Sequence, residues 1–300
     1  MQPFNYTLII SCSLEKPIIT NKIVKEIGLF CASSPKFLWP NVAVEFSLYN
    51  KKIKNNFLDK IRNYLKKFKI DVNIVKYNNF SPRKKKLLLA DMDSTLIQSE
   101  SLDDLAEIYG LGEEVRQITS EAMNGKINYK VSLEKRVKLF KSLPSNPIAK
   151  LKQKLDYNDG ASELISTMKK YGATCGLATG GFNIIAQKVK SDLNLDFIQA
   201  NQIEIIDQRF TGKLIEPILD QESKLKFLQE LIKKLKITNQ NTCTIGDGAN
   251  DIQMIKYSGM GVAFKGKDKL KKNASYILDF SDLTGLLFLQ GYTKNQIKTN

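Results

Sequence analysis

Three short runs of consecutive apolar residues stand out in the chain: Leu87–Ala90, Thr174–Ala178 and Thr242–Ile245. Runs of this length without polar alternation predict strands buried on both faces of a parallel sheet. Segments with apolar residues at helical spacing lie between them, for example Ala161–Tyr171 and Ser223–Leu235. Strand–helix alternation predicts an α/β fold with a doubly wound parallel sheet. Between the first two runs lies far more chain than one crossover helix needs. Most of it reads helical, over Leu102–Tyr109, Glu113–Met123, Tyr129–Phe140 and Ile148–Leu155. Gly110, Gly112 and Gly125 fall where helices would end, and Ser101 and Asn128 where N-caps would sit. A helical cap over about 100–160 is therefore expected behind the first strand, above the strand C-termini where α/β sheets bind ligands. Ile203–Ile206 and Phe210–Leu214 read as a hairpin. Gly261–Phe264 and Tyr276–Leu278 read as late strands, and Leu283–Gln290 as a closing helix.

The first 80 residues have a different rhythm and predict a small α+β unit. Thr7–Ser11 and Asp71–Tyr77 read as strands, and Asn21–Phe30 has helical spacing. Asn56–Phe68 carries Phe57, Ile61 and Leu65 on one stripe. Val42–Tyr49 alternates, with Val44, Phe46 and Leu48 on one face and Glu45 and Ser47 on the other. Asn78–Arg83 reads as a linker, so the expected division is 1–80 and 81–300. The basic run Arg83–Lys86 reads as the solvated charges of that linker.

Composition narrows the chemistry. At 300 residues, 42% hydrophobic and 26% charged, the chain reads as an ordinary globular protein. Its N-terminal apolar run lacks a preceding basic stretch and reads as a strand, not a signal peptide. The four cysteines, Cys12, Cys31, Cys175 and Cys243, form no CxxC pair, which favours a cytoplasmic protein without disulfides or zinc. The net charge of +15 is carried mostly by scattered lysines. With no nucleic-acid motif beside them, they read as a solvated surface that attracts anionic substrates, and neither nucleic acid nor membrane is the expected partner. There is no histidine. That excludes Ser-His-Asp hydrolases, histidine-phosphate enzymes and HExxH metalloenzymes, and leaves acid–base work to carboxylates, Lys, Tyr or Cys.

Each buried run leads into a polar cluster. The first meets Asp91-Met92-Asp93-Ser94-Thr95, the second Thr179-Gly180-Gly181, the third Gly246-Asp247-Gly248-Ala249-Asn250-Asp251. Parallel strands bring these ends to one crevice. Crowded carboxylates without histidine or a thiolate pattern need a hard cation, and an oxygen-only site suits Mg²⁺. Asp91 and Asp247 would supply side-chain oxygens and Asp93 its backbone carbonyl. Thr179, the Gly180 N–H and Asn250 can cradle an anion.

DMDST, TGG, a lysine and GDGAND in this order resemble the haloacid-dehalogenase-type phosphohydrolases. The longer stretches DMDSTLIQSESLDDLAE, ITSEAMNGKINYKVSLEKRVKLFKSLP, ATGGF, DQESK and GDGANDIQMI resemble the phosphoserine phosphatase family within them, over roughly residues 85–280. The resemblance implies that Asp91 is the nucleophile and Asp93 the general acid/base. It implies that Lys224 binds phosphate, Glu100 the substrate ammonium and Arg136 its carboxylate. It also implies Mg²⁺-dependent hydrolysis of O-phospho-L-serine through an aspartyl-phosphate, the last step of serine biosynthesis. Thr179 replaces a usual serine, Tyr129 a common apolar aromatic and Asn183 a common aspartate, and the usual proline before the cap's end is missing near Tyr157–Gly160.

Other readings are weaker. Asp251 is expected to orient its neighbours, and Met123 and Tyr129 either line the pocket or pack the cap. The P-loop-like Gly261-x-x-x-x-Gly266-Lys267 has Asp268 where a hydroxyl is required. The alternatives are a phosphatase of another small phosphorylated amine or amino acid, and a basic nucleic-acid-binding protein on an inactive scaffold. Intact Asp91, Asp93 and Asp247 argue against the last. The N-terminal strand–helix order resembles small amino-acid-sensing modules.

Overall fold

The computed structural model describes residues 5–48, 56–124 and 126–298; Tyr49, Gly125 and the side chain of Met123 lie outside that description. The chain starts with β1 (Asn5–Ser11), α1 (Asn21–Cys31), β2 (Pro35–Trp39), β3 (Ala43–Ser47), α2 (Phe57–Lys66) and β4 (Asp71–Tyr77). Its four strands form an antiparallel sheet in the order β2-β3-β1-β4. The sequence pattern misses β2, whose residues are mostly exposed and so carry no alternation.

The second sheet uses β5 (Leu87–Ala90), β6 (Thr174–Phe182), β7 (Phe197–Ile206), β8 (Arg209–Ile215), β9 (Thr242–Gly246), β10 (Met260–Phe264) and β11 (Tyr276–Leu278). Their order is β11-β10-β9-β5-β6-β7-β8, parallel except for β8, which returns beside β7 as a hairpin. The three apolar runs are its central strands and are buried as expected. The strand order reverses at β5, so a crevice opens at the C-terminal ends of β5, β6 and β9.

Between β5 and β6 come the cap helices α3 (Ser101–Ile108), α4 (Gly112–Met123), α5 (Tyr129–Lys138) and α6 (Ile148–Gln153), then α7 (Ala161–Lys170). Gly110 has φ 71° and terminates α3, but Gly112 opens α4 instead of closing a helix. Asn128 caps α5, accepting from the Val131 N–H at 2.9 Å. The chain enters and leaves the cap through a two-stranded ribbon. Gln98 N donates to Asp156 O at 2.9 Å and Asn158 N to Leu96 O at 2.9 Å. The Asn158 amide also donates to Thr95 O and Ile97 O. A second attachment joins the cap to the β7–β8 hairpin: Ser142 N donates to Phe210 O at 2.8 Å and Ser145 N to Gln208 O at 2.7 Å. Tyr109, Phe140 and Phe210 pack as an aromatic trio beneath it.

The remaining helices are α8 (Asn183–Asp192), α9 (Gln221–Leu235), α10 (Ile252–Tyr257), α11 (Asp268–Lys271) and α12 (Gly285–Leu289). Among the described residues no helix is long and apolar enough to cross a membrane.

The N-terminal sheet lies against the β11 edge of the larger one. Asn73 acts as a one-residue strand, donating to Ile277 O at 2.8 Å and accepting from Ile277 N at 3.0 Å. The Asp71 carboxylate accepts the N–H groups of Asp279, Phe280 and Ser281. One expectation fails at this junction, the solvated basic run, and Glu45 finds its partner there. Glu45 is buried, held by Arg83 at 2.7 Å and Lys36 at 2.8 Å. Arg83 and Lys85 are not solvated linker charges. Arg83 also donates to Leu289 O and Phe288 O, and Lys85 is 5% exposed with its amine on Gln240 O at 2.8 Å. A polar face and a basic run look alike in sequence whether they meet water or a second sheet.

Candidate active site

β5 delivers Asp91 to the crevice, and a tight turn over Met92–Leu96 follows. In that turn Asp93 is extended (φ −65°, ψ 136°) and Ser94 left-handed (φ 55°). The two aspartates therefore reach different partners. Asp91 Oδ1 accepts from Lys224 Nζ at 2.6 Å, while Asp93 Oδ1 accepts from Ser101 N at 2.8 Å. The second bond corrects the expected N-cap. Ser101 is the first helical residue of α3, and the Asp93 carboxylate takes its N–H. A charged acceptor at a helix N-terminus outcompetes a serine hydroxyl there.

Lys224 comes from α9, whose start is fixed by Asp220 accepting from Glu222 N and Ser223 N. Its buried amine also contacts Asp251 Oδ1 at 2.7 Å. Burial works against its charge, but Asp251 and Asp91 outweigh burial and raise its pKa. Burial first, then the Asp251 charge, lifts the Asp91 carboxyl well above the ordinary range, with Lys224 opposing. Asp251, expected to orient neighbours, does so twice: its other oxygen accepts from Gly248 N at 3.1 Å.

Carboxylate oxygens of Asp91, Asp247 and Asp251 all lie within 4.8 Å of one another. Asp247 is pushed up to about 6 by burial and by Asp251, with Lys267 and Lys224 opposing. Three close, buried carboxylates against one buried lysine make an all-oxygen donor set that fits a hard divalent cation. The Asp93 side chain is not in this set. Lys267, from the P-loop-like stretch, instead places its amine 3.9 Å from Asp247.

The β6 end carries the residues expected to cradle an anion. Thr179 Oγ1 accepts from Gly181 N at 2.8 Å and lies 3.4 Å from Asp93 Oδ2. Gly181 leaves room for Asp93, whose Oδ2 a β-carbon would meet at 2.7 Å. Gly180 O accepts from Asn201 Nδ2 at 2.8 Å and faces the Tyr129 hydroxyl at 3.4 Å. Burial, then the neighbouring Glu100 charge, pushes Asp93 up to about 6.

Glu100 and Arg136 come from the cap. Glu100 accepts from Ser94 Oγ at 2.8 Å, and Arg136 Nε donates to Ser132 O at 3.3 Å. They do not pair with each other, but both act on the half-buried Asp103, which burial and Glu100 raise and Arg136 lowers. Asn250 lies in the turn Ala249–Asp251 beside Gly248, without a bond to the other predicted residues among those described. Sequence reasoning missed Asn201. Its amide donates to Gly180 O, and its carbonyl accepts from Leu219 N at 2.7 Å, tying the β6 end to the segment before α9. A single asparagine in a strand carries no signal of this.

The haloacid dehalogenase-like hydrolase family model matches residues 88–256. The chain is 39% identical over 205 residues to the phosphoserine phosphatase of Methanocaldococcus jannaschii, covering 68% of this chain and 97% of that protein. It is 35% identical over 227 residues to the phosphoserine phosphatase of Archaeoglobus fulgidus, covering 76% of this chain and 66% of that protein. A crystal structure of a probable phosphoserine phosphatase from Vibrio cholerae matches with a TM-score of 0.78 at 26% identity, over 97% of this chain and 88% of that one. The chain belongs to the haloacid dehalogenase-like hydrolases, in their phosphoserine phosphatase branch.

Proposed function

We propose that the protein hydrolyses O-phospho-L-serine to serine and phosphate through an aspartyl-phosphate on Asp91. The observation that carries this is the division of labour between Asp91 and Asp93. Asp91 is clamped by Lys224 and belongs to the carboxylate set, whereas Asp93 lies outside that set and faces Thr179 and the α3 N-terminus. Asp91 Oδ attacks phosphorus and the ester P–O bond breaks. The departing serine oxygen takes the proton from Asp93. Asp93, now ionised, removes a proton from water. The water oxygen attacks phosphorus, and the Asp91–phosphorus bond breaks to release phosphate.

Thr179, the Gly180 N–H, Asn250 and Lys224 grip the phosphate, while Glu100 and Arg136 read the amino acid's ammonium and carboxylate. Asp91 and Asp247 of that carboxylate set, with the Asp93 carbonyl, would hold Mg²⁺, which when bound offsets the repulsion between carboxylate and phosphate, while the oxygens of Asp251 are engaged by Lys224 and Gly248 N. Asp251 keeps Lys224 aligned. Residues 1–80 form a separate small unit and 81–300 the catalytic one, in a cytoplasmic enzyme that acts on a small molecule, not nucleic acid or membrane.

The test is phosphate release from a substrate panel with Mg²⁺. Phosphoserine should be the fastest small phosphomonoester, and equal rates across the panel would reject the assignment. Asp91→Asn should lose at least ~10³-fold in kcat, about 4 kcal/mol of barrier.

A further inference from the structure

Resting on the phosphatase reading, we propose that the Tyr129 hydroxyl is a positioning group that seals the cap onto the phosphate cradle at Gly180. A β-carbon at position 180 would meet that hydroxyl.

Tyr129 opens α5, the cap helix that also carries Arg136. Its hydroxyl reaches out of the cap to within 3.4 Å of Gly180 O on β6. A β-carbon built on Gly180 overlaps the hydroxyl oxygen but lies 3.4 Å from the ring carbon Cζ. The obstruction is therefore the oxygen alone, and a phenylalanine ring in the same place would leave ordinary van der Waals room.

The Gly180–Gly181 peptide is held at both ends. Its carbonyl is bonded by Asn201 from below and faced by Tyr129 from above, and its N–H is bonded to Thr179 Oγ1. Asn201 and Thr179 belong to the sheet and keep their hold whatever the cap does. Tyr129 belongs to the cap, so its contact exists only when the cap is down. The hydroxyl thus favours the closed cap and keeps Gly180 in the closed arrangement, without touching the reacting atoms.

The test is a double-mutant cycle of Tyr129→Phe and Gly180→Ala, read as inorganic phosphate binding by calorimetry with Mg²⁺ and as steady-state turnover. Tyr129→Phe should raise KM about two- to tenfold, as expected for one modest hydrogen bond, with a smaller change in kcat and an unchanged Tm. Gly180→Ala alone should weaken both readouts, because its methyl meets the hydroxyl and displaces the contact. In the Tyr129→Phe background the same substitution should cost at least about tenfold less. Equal cost in both backgrounds overturns the proposal. If Gly180→Ala does not fold with Tyr129 present, recovery of the fold in Tyr129→Phe supports it and failure in both overturns it. If phosphoserine is not the substrate, the cycle is read on whichever phosphomonoester is hydrolysed. Absence of phosphate binding by the unmutated protein rejects the phosphatase reading itself, and the seal with it.

Discussion

Replacing Lys224 by methionine keeps most of the side-chain volume and removes the one amine that bridges Asp91 and Asp251. Its contacts of 2.6 and 2.7 Å are both buried. Unit charges about 3 Å apart attract by roughly 5–6 kcal/mol at an effective dielectric of ~20, before the desolvation that offsets much of it. Removing one partner of a buried pair costs ~3–5 kcal/mol, because the remaining charge has no counter-ion. Against a total stability of ~5–15 kcal/mol this is a large fraction. With a urea dependence near ~3 kcal/mol per molar, the midpoint should fall by about 1–1.7 M in EDTA at pH 8. The sign of the pH dependence follows from the Asp91 carboxyl, which burial and Asp251 already hold above the ordinary range and Lys224 opposes. Loss of the amine raises it further. A folded state that binds more protons than the unfolded one gains stability as pH falls. The deficit should therefore be largest at pH 8 and narrow toward pH 5, and saturating Mg²⁺ should restore part of it. Urea titrations of both proteins at the two pH values check this. An unchanged midpoint at pH 8 in EDTA, or a deficit that widens on acidification, refutes the reasoning.

Three further outcomes are expected. Glu100→Gln removes a negative neighbour of Asp93 and should move the alkaline limb of kcat/KM to lower pH for an amine-free phosphomonoester; an unmoved limb contradicts the acid role. Asn201→Leu strips one partner from Gly180 O and leaves Leu219 N bare. It should lose ~2–4 kcal/mol of stability and weaken phosphate inhibition, both absent if the amide is a bystander. Lys85→Met should stabilise the fold at pH 7. Burial lowers that amine to about 8, a penalty of roughly 3 kcal/mol below pH 8 that fades as pH rises toward the unfolded value. Losing the bond to Gln240 O offsets part of it, so a net gain of ~1–2 kcal/mol in urea titrations at pH 7, vanishing by pH 10, is the check.

The catalytic crevice was legible because burial and chemistry coincide in sequence there. Leu87–Ala90, Thr174–Ala178 and Thr242–Ile245 are apolar because they are central strands, and whatever follows a central strand lands at the crevice. The cap helices were legible from their 3.6-residue spacing. What escaped was decided by surfaces meeting in three dimensions. β2 is an edge strand with little burial to imprint a pattern. Arg83 read as solvated because only the fold shows it opposite Glu45. Ser101 lost its capping role to Asp93, eight residues earlier, because the Met92–Leu96 turn carries that carboxylate back to the start of α3.

The side chain of Asn73, standing in for a strand beside Ile277, has a consequence for solubility. β11 is the last strand of its sheet, and an uncovered last strand invites pairing with another molecule. Asn73 and Asp71 occupy the bonding groups of Ile277 and of Asp279–Ser281, so the N-terminal sheet works as a guard against edge-to-edge association. The Methanocaldococcus jannaschii relative, almost all of whose length aligns with only 68% of this chain, shows how compact such an enzyme can be. A fragment of this chain starting near Ser81 would expose a strand and a loop shaped to be covered, so it should be handled as a sticky protein even where its crevice is intact.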